Sequence, residues 1–112
     1  MVFTTCGSKK EAKQIAKHLI ETRVAACVTI QPEVRSIYRW ADQIEDSKEV
    51  LLFIKTRRDL FERVRVEIEK SHSYEVPEVV AVPIVAGSDA YLGWLESVLP
   101  PPKPMAETLA EE

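Results

Sequence analysis

Val24-Ala-Ala-Cys-Val-Thr-Ile-Gln-Pro-Glu-Val-Arg-Ser-Ile-Tyr-Arg-Trp40 is the stretch on which the fold turns. Its even positions are Val24, Ala26, Val28, Ile30, Pro32, Val34, Ser36, Tyr38 and Trp40. Its odd positions are Ala25, Cys27, Thr29, Gln31, Glu33, Arg35, Ile37 and Arg39. Apolar side chains alternate with mostly polar ones, the period of a β-strand with one covered face, and the pattern outlasts a typical strand of about 5–6 residues. Pro32 lacks an amide donor, so a bulge, kink or edge position is expected there. A polar turn around Asp42–Lys48 leads to Glu49-Val-Leu-Leu-Phe-Ile-Lys-Thr56. Its core, Val50 to Ile54, is apolar at every position, so both faces should be covered. The segment from Arg23 to Thr56 thus reads as one hairpin of two long strands. At about 3.3 Å per residue the first would span roughly 55 Å, longer than a domain this size is wide. Its distal half must project beyond its own core, and a projecting apolar strand needs a partner.

Working outward, Val2–Cys6 reads as a short strand ended by Gly7-Ser8. Ser8 with Glu11 forms a capping box at a helix start. That helix carries Ala12, Ile15, Ala16, Leu19 and Ile20 on one stripe, with Lys10, Lys13, Lys17 and Glu21 turned away. Thr56 and Asp59 offer a weaker cap to a second helix, which has Leu60, Phe61, Val64 and Ile68 inside and reaches about Ser71. Val79 to Val85 is a continuous apolar run, expected to be a central or doubly covered strand, with Pro83 interrupting it. Ser88-Asp89 caps a short third helix that offers Tyr91, Leu92, Leu95 and Val98 for burial. Residues 1–99 make one domain. The stretch 100–112, Pro-rich and then acidic, is expected to be a disordered tail.

The chain has 112 residues, 46% hydrophobic and 29% charged, enough for a real core and ordinary for a globular protein. A net charge of −3 argues against nucleic acid as a partner, since phosphate binding needs clustered Lys and Arg. No apolar run approaches the roughly 20 residues of a membrane helix, and Met1 leads straight into the first strand without a signal-peptide pattern. Two cysteines are too few for a disulfide framework, so a cytoplasmic location is expected.

The order β-α-β-β-α-β plus a helix predicts an α+β, ferredoxin-like split β-α-β fold: two helices on one face of a four-stranded antiparallel sheet. The other face is too apolar for water. A sheet-to-sheet homo-oligomer is the simplest cover.

Six short stretches, in order, resemble the CutA divalent-cation tolerance proteins from Val2 to about Leu99. They are Thr4-Thr5, Ala25-Ala-Cys-Val28, Ser36-Ile-Tyr-Arg-Trp40, Glu49 with Ile54-Lys-Thr56, His72-Ser-Tyr-Glu-Val-Pro-Glu78, and Tyr91-Leu-Gly-Trp94. The resemblance implies a tight trimer in which long hairpins of neighbouring subunits pair edge to edge. It also implies a PII-like architecture with clefts between subunits, and an association with tolerance to copper and other divalent metals.

Candidate site residues follow. His72 sits in a loop whose Pro77 forbids helix. A neutral imidazole suits copper or zinc when joined by thiolate or carboxylate, and Glu75 and Glu78 could converge with it. Equally, His72 could cap the helix C-terminus. The resemblance favours the ligand role, because His72 matches the family's histidine before Tyr-Glu-x-Pro-Glu. Cys27 is either a ligand or a small buried hydrophobe. Cys6 lies where a strand turns into a helix N-terminus, a position that could lower its thiol pKa and favour thiolate. In relatives with a metal-linked cysteine, that residue falls nearer Thr4. Tyr38, Trp40 and Tyr74 read first as packing or interface anchors. Lys55 could hold an anion in a cleft or pair with Glu49 or Glu75.

Three classes of function compete. The leading one is a trimeric metal-binding protein, with His72 as the first ligand candidate and copper as the first metal. A PII-like regulator binding a small anion or metabolite at subunit clefts would need a Gly-rich or basic cradle. An enzyme or RNA binder on the same scaffold lacks support: no nucleophile–base pair is visible, an acylphosphatase-like site would need an arginine loop with a partnering amide, and the chain has no Asn.

Overall fold

In the computed structural model, which describes residues 1–102, β1 (Val2–Cys6) runs into α1 (Lys9–Glu21). Residues 103–112, most of the expected tail, lie outside the described residues. Val2, Thr4 and Cys6 point under the helices, and Phe3 and Thr5 point to the other face. Thr4 Oγ1 is buried without a hydrogen-bond partner. Ser8 Oγ caps α1 by accepting the Glu11 amide at 3.1 Å. Ala12, Ile15, Ala16 and Leu19 are buried as expected, but Ile20 is exposed, one helical step round from Leu19.

Arg23 adopts φ 62°, and the chain reverses so that the amides of Val24 and Ala25 both reach the Leu19 carbonyl. These residues therefore close α1 and are buried in the core instead of opening the strand. β2 begins at Cys27 and runs to Trp40, and β3 runs from Gln43 to Lys55. Their pairing is residue for residue from Cys27↔Lys55 to Trp40↔Gln43, broken by one irregularity between Gln31 and Val34. There Glu33 takes φ 61°, so Pro32 does mark a bulge. The turn is not Asp42–Lys48 but the pair Ala41-Asp42, with φ 49° and 63°. Residues 43–48 are mostly polar because the distal strands meet water on both faces. Their cross-strand contacts are polar too: Arg35 Nε donates to Asp46 Oδ1 at 2.6 Å, and Tyr38 and Ser47 hydroxyls lie 3.4 Å apart.

The sheet order is β2-β3-β1-β4, every pairing antiparallel, as the ferredoxin-like arrangement requires. β4 departs from expectation. It is paired only at Val80–Ala81 and forms an exposed edge, not a central or covered strand. β1 offers only Val2 and Phe3 opposite it; Met1 and Val82 exchange backbone bonds, and beyond lies Pro83, without an amide donor.

The expected Thr56/Asp59 cap is also absent. Thr56 Oγ1 donates to the Val24 carbonyl at 2.7 Å, while Asp59 binds Arg57. A 3-10 turn at Arg58–Leu60 leads instead into α2 (Phe61–Ser71), which buries Val64 and Ile68. Ser88 Oγ caps α3 (Asp89–Val98) by accepting the Tyr91 amide, and Leu95 and Leu99 pack on Leu60 in a small separate cluster. Arg57, largely buried, ties this end together through Asp59, Glu96 and the Pro100 carbonyl. The main core lies between α1, α2 and the inner sheet face. On the opposite face Phe3 and Phe53 meet edge to face at 5.4 Å and are only half-buried.

Candidate functional site

Where β1 gives way to α1, the loop after α2 is fastened down by backbone and side-chain bonds. Glu11 begins it. Its Oε1 accepts the Gly7 amide at 3.4 Å, and its Oε2 accepts the Ser73 amide at 2.8 Å. The capping carboxylate thus spans two segments, and it lies 62 residues from Ser73 in the chain. Burial pushes the Glu11 carboxyl up, but the bonds from Ser73 and the Gly7 amide outweigh it, and its pKa falls below the ordinary value.

His72 is the residue that ends α2. Its Nδ1 accepts the Tyr74 amide at 3.0 Å, and its Nε2 lies 2.6 Å from the Thr5 carbonyl. An amide can only donate, so Nδ1 supplies its lone pair; a carbonyl can only accept, so Nε2 carries the proton. Tyr74 lies against the imidazole, ring centres 4.7 Å apart and planes tilted by 48°, and its hydroxyl donates to Glu49 Oε2 at 2.8 Å. Glu49 is only 6% exposed. Burial and this carboxylate hold the Tyr74 phenol protonated far above its usual range, and Tyr38 lies close enough to add to the effect.

Cys6 lies beneath, fully buried, its thiol 3.5 Å from the Ser8 carbonyl. Burial raises its pKa, and Glu11 and Glu49 add to the rise. The lowered pKa expected from the helix start is overturned, because loss of water disfavours thiolate. Glu75 and Glu78 are not among the groups that fasten the loop: Glu75 is exposed and Glu78 lies beyond Pro77. Cys27 and Lys55 face each other at the other end of the hairpin, six residues along β3 from Glu49 or about 20 Å at 3.3 Å per residue. Lys55 Nζ sits 5.3 Å from the Tyr91 ring centre, a cation–π contact in place of the expected pairing with Glu49 or Glu75. Trp40 is more than half exposed at the hairpin tip.

Of the expected residues, then, His72, Tyr74 and Cys6 converge, with Tyr38 nearby, and Cys27, Lys55 and Trp40 stand apart. Reading the sequence by residue type passes over the partners, Glu11 and Glu49. Glu49 carries a signal: it shares a face with Leu51 and Phe53, where a carboxylate needs a donor. Beside it runs a cavity of about 160 Å³ lined by Gly7, Ser8, Lys9, Glu33, Lys48, Glu49 and Val50. As the loop stands, the donors do not fit a divalent cation. The imidazole lone pair is taken, the thiol is buried and protonated, and among the described residues no three His, Cys, Asp or Glu side chains are grouped for a metal.

Known proteins agree on the family. Residues 1–98 match the CutA1 divalent ion tolerance protein family. The divalent-cation tolerance protein CutA of Thermus thermophilus is 43% identical over 95 residues, covering 85% of this chain and 92% of that protein. Human protein CutA is 43% identical over 96 residues, 86% of this chain but 54% of its own. The chain thus spans about half the length of the Arabidopsis, mouse and human relatives. Among solved structures, the divalent cation tolerance protein of Thermus thermophilus superposes with TM-score 0.85 at 41% identity, covering 88% of this chain and 96% of that one. CutA1 from Oryza sativa gives 0.86 at 37% identity, covering 88% and 91%. The chain belongs to the CutA1 divalent ion tolerance protein family.

Proposed function

We propose that this protein assembles as a homotrimer and binds divalent cations, copper first among them, as its part in metal-ion tolerance. The observation that carries the assembly is a pair of unmatched sheet edges. β2 is one outer edge and β4 the other, and exposed apolar side chains line both: Ile37, Tyr38 and Trp40 on one, Val80 and the residues just past it, Val82 and Ile84, on the other. Two different edges that pair between copies make a head-to-tail contact, which forms a ring when the rotation between copies closes. The CutA resemblance supports a ring of three.

Family membership supports the cation role, and the relatives are named tolerance proteins, which agrees with a non-catalytic reading. The two free cysteines favour a reducing, cytoplasmic setting. A PII-like role has one observation of its own. Lys9 and Lys48, with Glu33 and Glu49 beside them, line the small cavity at the α1 N-terminus, where a small polar metabolite could be held.

Light scattering and copper calorimetry test the proposal together. The expected result is a particle three times the 12.7 kDa chain mass that takes copper at a whole-number ratio per subunit. Trp40→Asp should leave monomer or aggregate; a Trp40→Asp protein that stays trimeric and equally heat-stable sinks the edge-pairing claim. An intact trimer without copper uptake would shift the reading to small anions.

A further inference from the structure

We infer that the cavity between the α1 N-terminus and the hairpin bulge is a site for a small zwitterion, an α-amino acid with a short side chain. The inference rests on the metabolite reading above, is independent of the cation reading, and names the chemical class of the ligand.

The decisive residue is Glu49. It is 6% exposed, yet only one of its oxygens is engaged. Oε2 accepts the Tyr74 hydroxyl at 2.8 Å, and no group among the described residues donates to Oε1. Oε1 is not sealed in the core either, because Thr4 Oγ1 is the one fully enclosed side-chain atom left without a partner among the described residues. The opening that remains to this carboxylate is the cavity whose wall it forms. A buried charge needs a donor, and a cationic donor makes the stronger bond.

The rest of the wall supplies one more acid and two cations. Val34 pairs with Glu49 across the strands, and the bulge, with Glu33 at φ 61°, brings the Glu33 carboxylate to the same cavity. On the α1 side, Ser8 takes the Glu11 amide on its hydroxyl and the Ala12 amide on its carbonyl. The Lys9 and Lys10 amides are left as the orphan donors of the helix start, where the helix dipole favours an anion. Lys9 and Lys48 add two ammonium groups, neither of them in an ion pair among the described residues.

These charges cancel, and that sets the class of ligand. A simple anion would face Glu33 and Glu49, and a simple cation would face Lys9 and Lys48. A molecule with one charge of each sign answers both pairs. The ammonium of an α-amino acid goes to Glu49 Oε1, and its carboxylate goes to the α1 N-terminus and the lysines. The volume of about 160 Å³ matches about five waters at roughly 30 Å³ each, which suits glycine, alanine or serine and crowds a longer side chain.

The test compares L-alanine with propionate and ethylamine, which lack its ammonium and its carboxylate respectively. Titration of the full chain by amide NMR should show alanine shifting Gly7, Lys9 and Val50 saturably. Each analogue should bind at least about tenfold more weakly, the scale of one lost charge-assisted hydrogen bond. Glu49→Gln keeps an acceptor for the Tyr74 hydroxyl, and it should weaken alanine about tenfold without weakening propionate. An analogue that binds as tightly as alanine, or alanine binding untouched by Glu49→Gln, would overturn the inference and leave the metabolite reading standing. Saturable shifts that avoid the cavity would overturn it too. The comparison of the three ligands needs no variant, so a Glu49→Gln chain that fails to fold does not shield the inference. Silence towards all three overturns it, and silence towards inorganic phosphate as well removes the metabolite reading with it.

Discussion

The two halves of the β2–β3 hairpin are built from the same strands and held by different things. Below the bulge at Pro32-Glu33, β3 is flanked by β1 and covered by α1 and α2, and Leu52 and Ile54 are 0% exposed. Above it, β2 and β3 have only each other, and Ile37 and Ile44 are 68% and 69% exposed. A lone two-strand ribbon is marginal in water. The pairing nonetheless resumes past the bulge and runs to Trp40↔Gln43. Hydrogen bonding alone therefore extends the strands, while burial decides where they are stable. The apolar side chains of the distal half add nothing to the stability of their own subunit.

Substitution of one apolar residue in each half gives the largest expected contrast. Leu52→Ala should cost about 3 kcal/mol in denaturant unfolding, the usual penalty for a buried leucine. Ile44→Ala should change subunit unfolding by less than about 0.5 kcal/mol, as exposed positions do, and act instead on sedimentation of the assembly. Equal costs in subunit unfolding would break the comparison and put the hairpin tip inside a core. The next effect is smaller and opposite in sign. Thr4 is fully buried with an orphan hydroxyl, so Thr4→Val should stabilise by about 1–2 kcal/mol. A loss of stability, measured the same way, would mean that Thr4 Oγ1 has a partner in solution.

The same contrast explains what can be read from the residues. Alternation from Val24 to Trp40 locates the hairpin, and Pro32 locates its bulge, because both are local signals. Asp42–Lys48 mimics a turn since polarity reports water, and an exposed strand is as wet as a turn. Val79–Val85 mimics a covered strand since apolarity reports a need for cover without saying whether the same subunit supplies it. At the site, His72 and Tyr74 stand out by residue type. Their anchors do not, because Glu49 lies 25 residues from Tyr74 and Glu11 lies 62 from Ser73, and only the fold joins them. Cys6 shows the limit of position as a guide: adjacency to a helix start suggests thiolate, and burial decides otherwise.

The smallest expected effect lies at the tip and separates the halves most sharply. Ala41 and Asp42 both hold left-handed backbone, at φ 49° and 63°, where a β-carbon is crowded by the adjoining carbonyl. Two-residue hairpin turns favour Asn-Gly there because Asn tolerates this region and Gly has no β-carbon. Ala41→Asn with Asp42→Gly should therefore relieve strain, partly offset by the extra freedom glycine gives the unfolded chain, for a net gain of about 0.5–1 kcal/mol. Where the gain appears is the informative part. If the distal ribbon opens on its own, amide exchange at Arg39 and Ile44 should slow while the global denaturation midpoint stays put, since strain at the tip is then released by local opening. If the midpoint rises by the full amount, ribbon and core unfold as one unit and the bulge is no boundary. Faster exchange at the tip would show that the native turn is already relaxed and that the left-handed pair carries no strain.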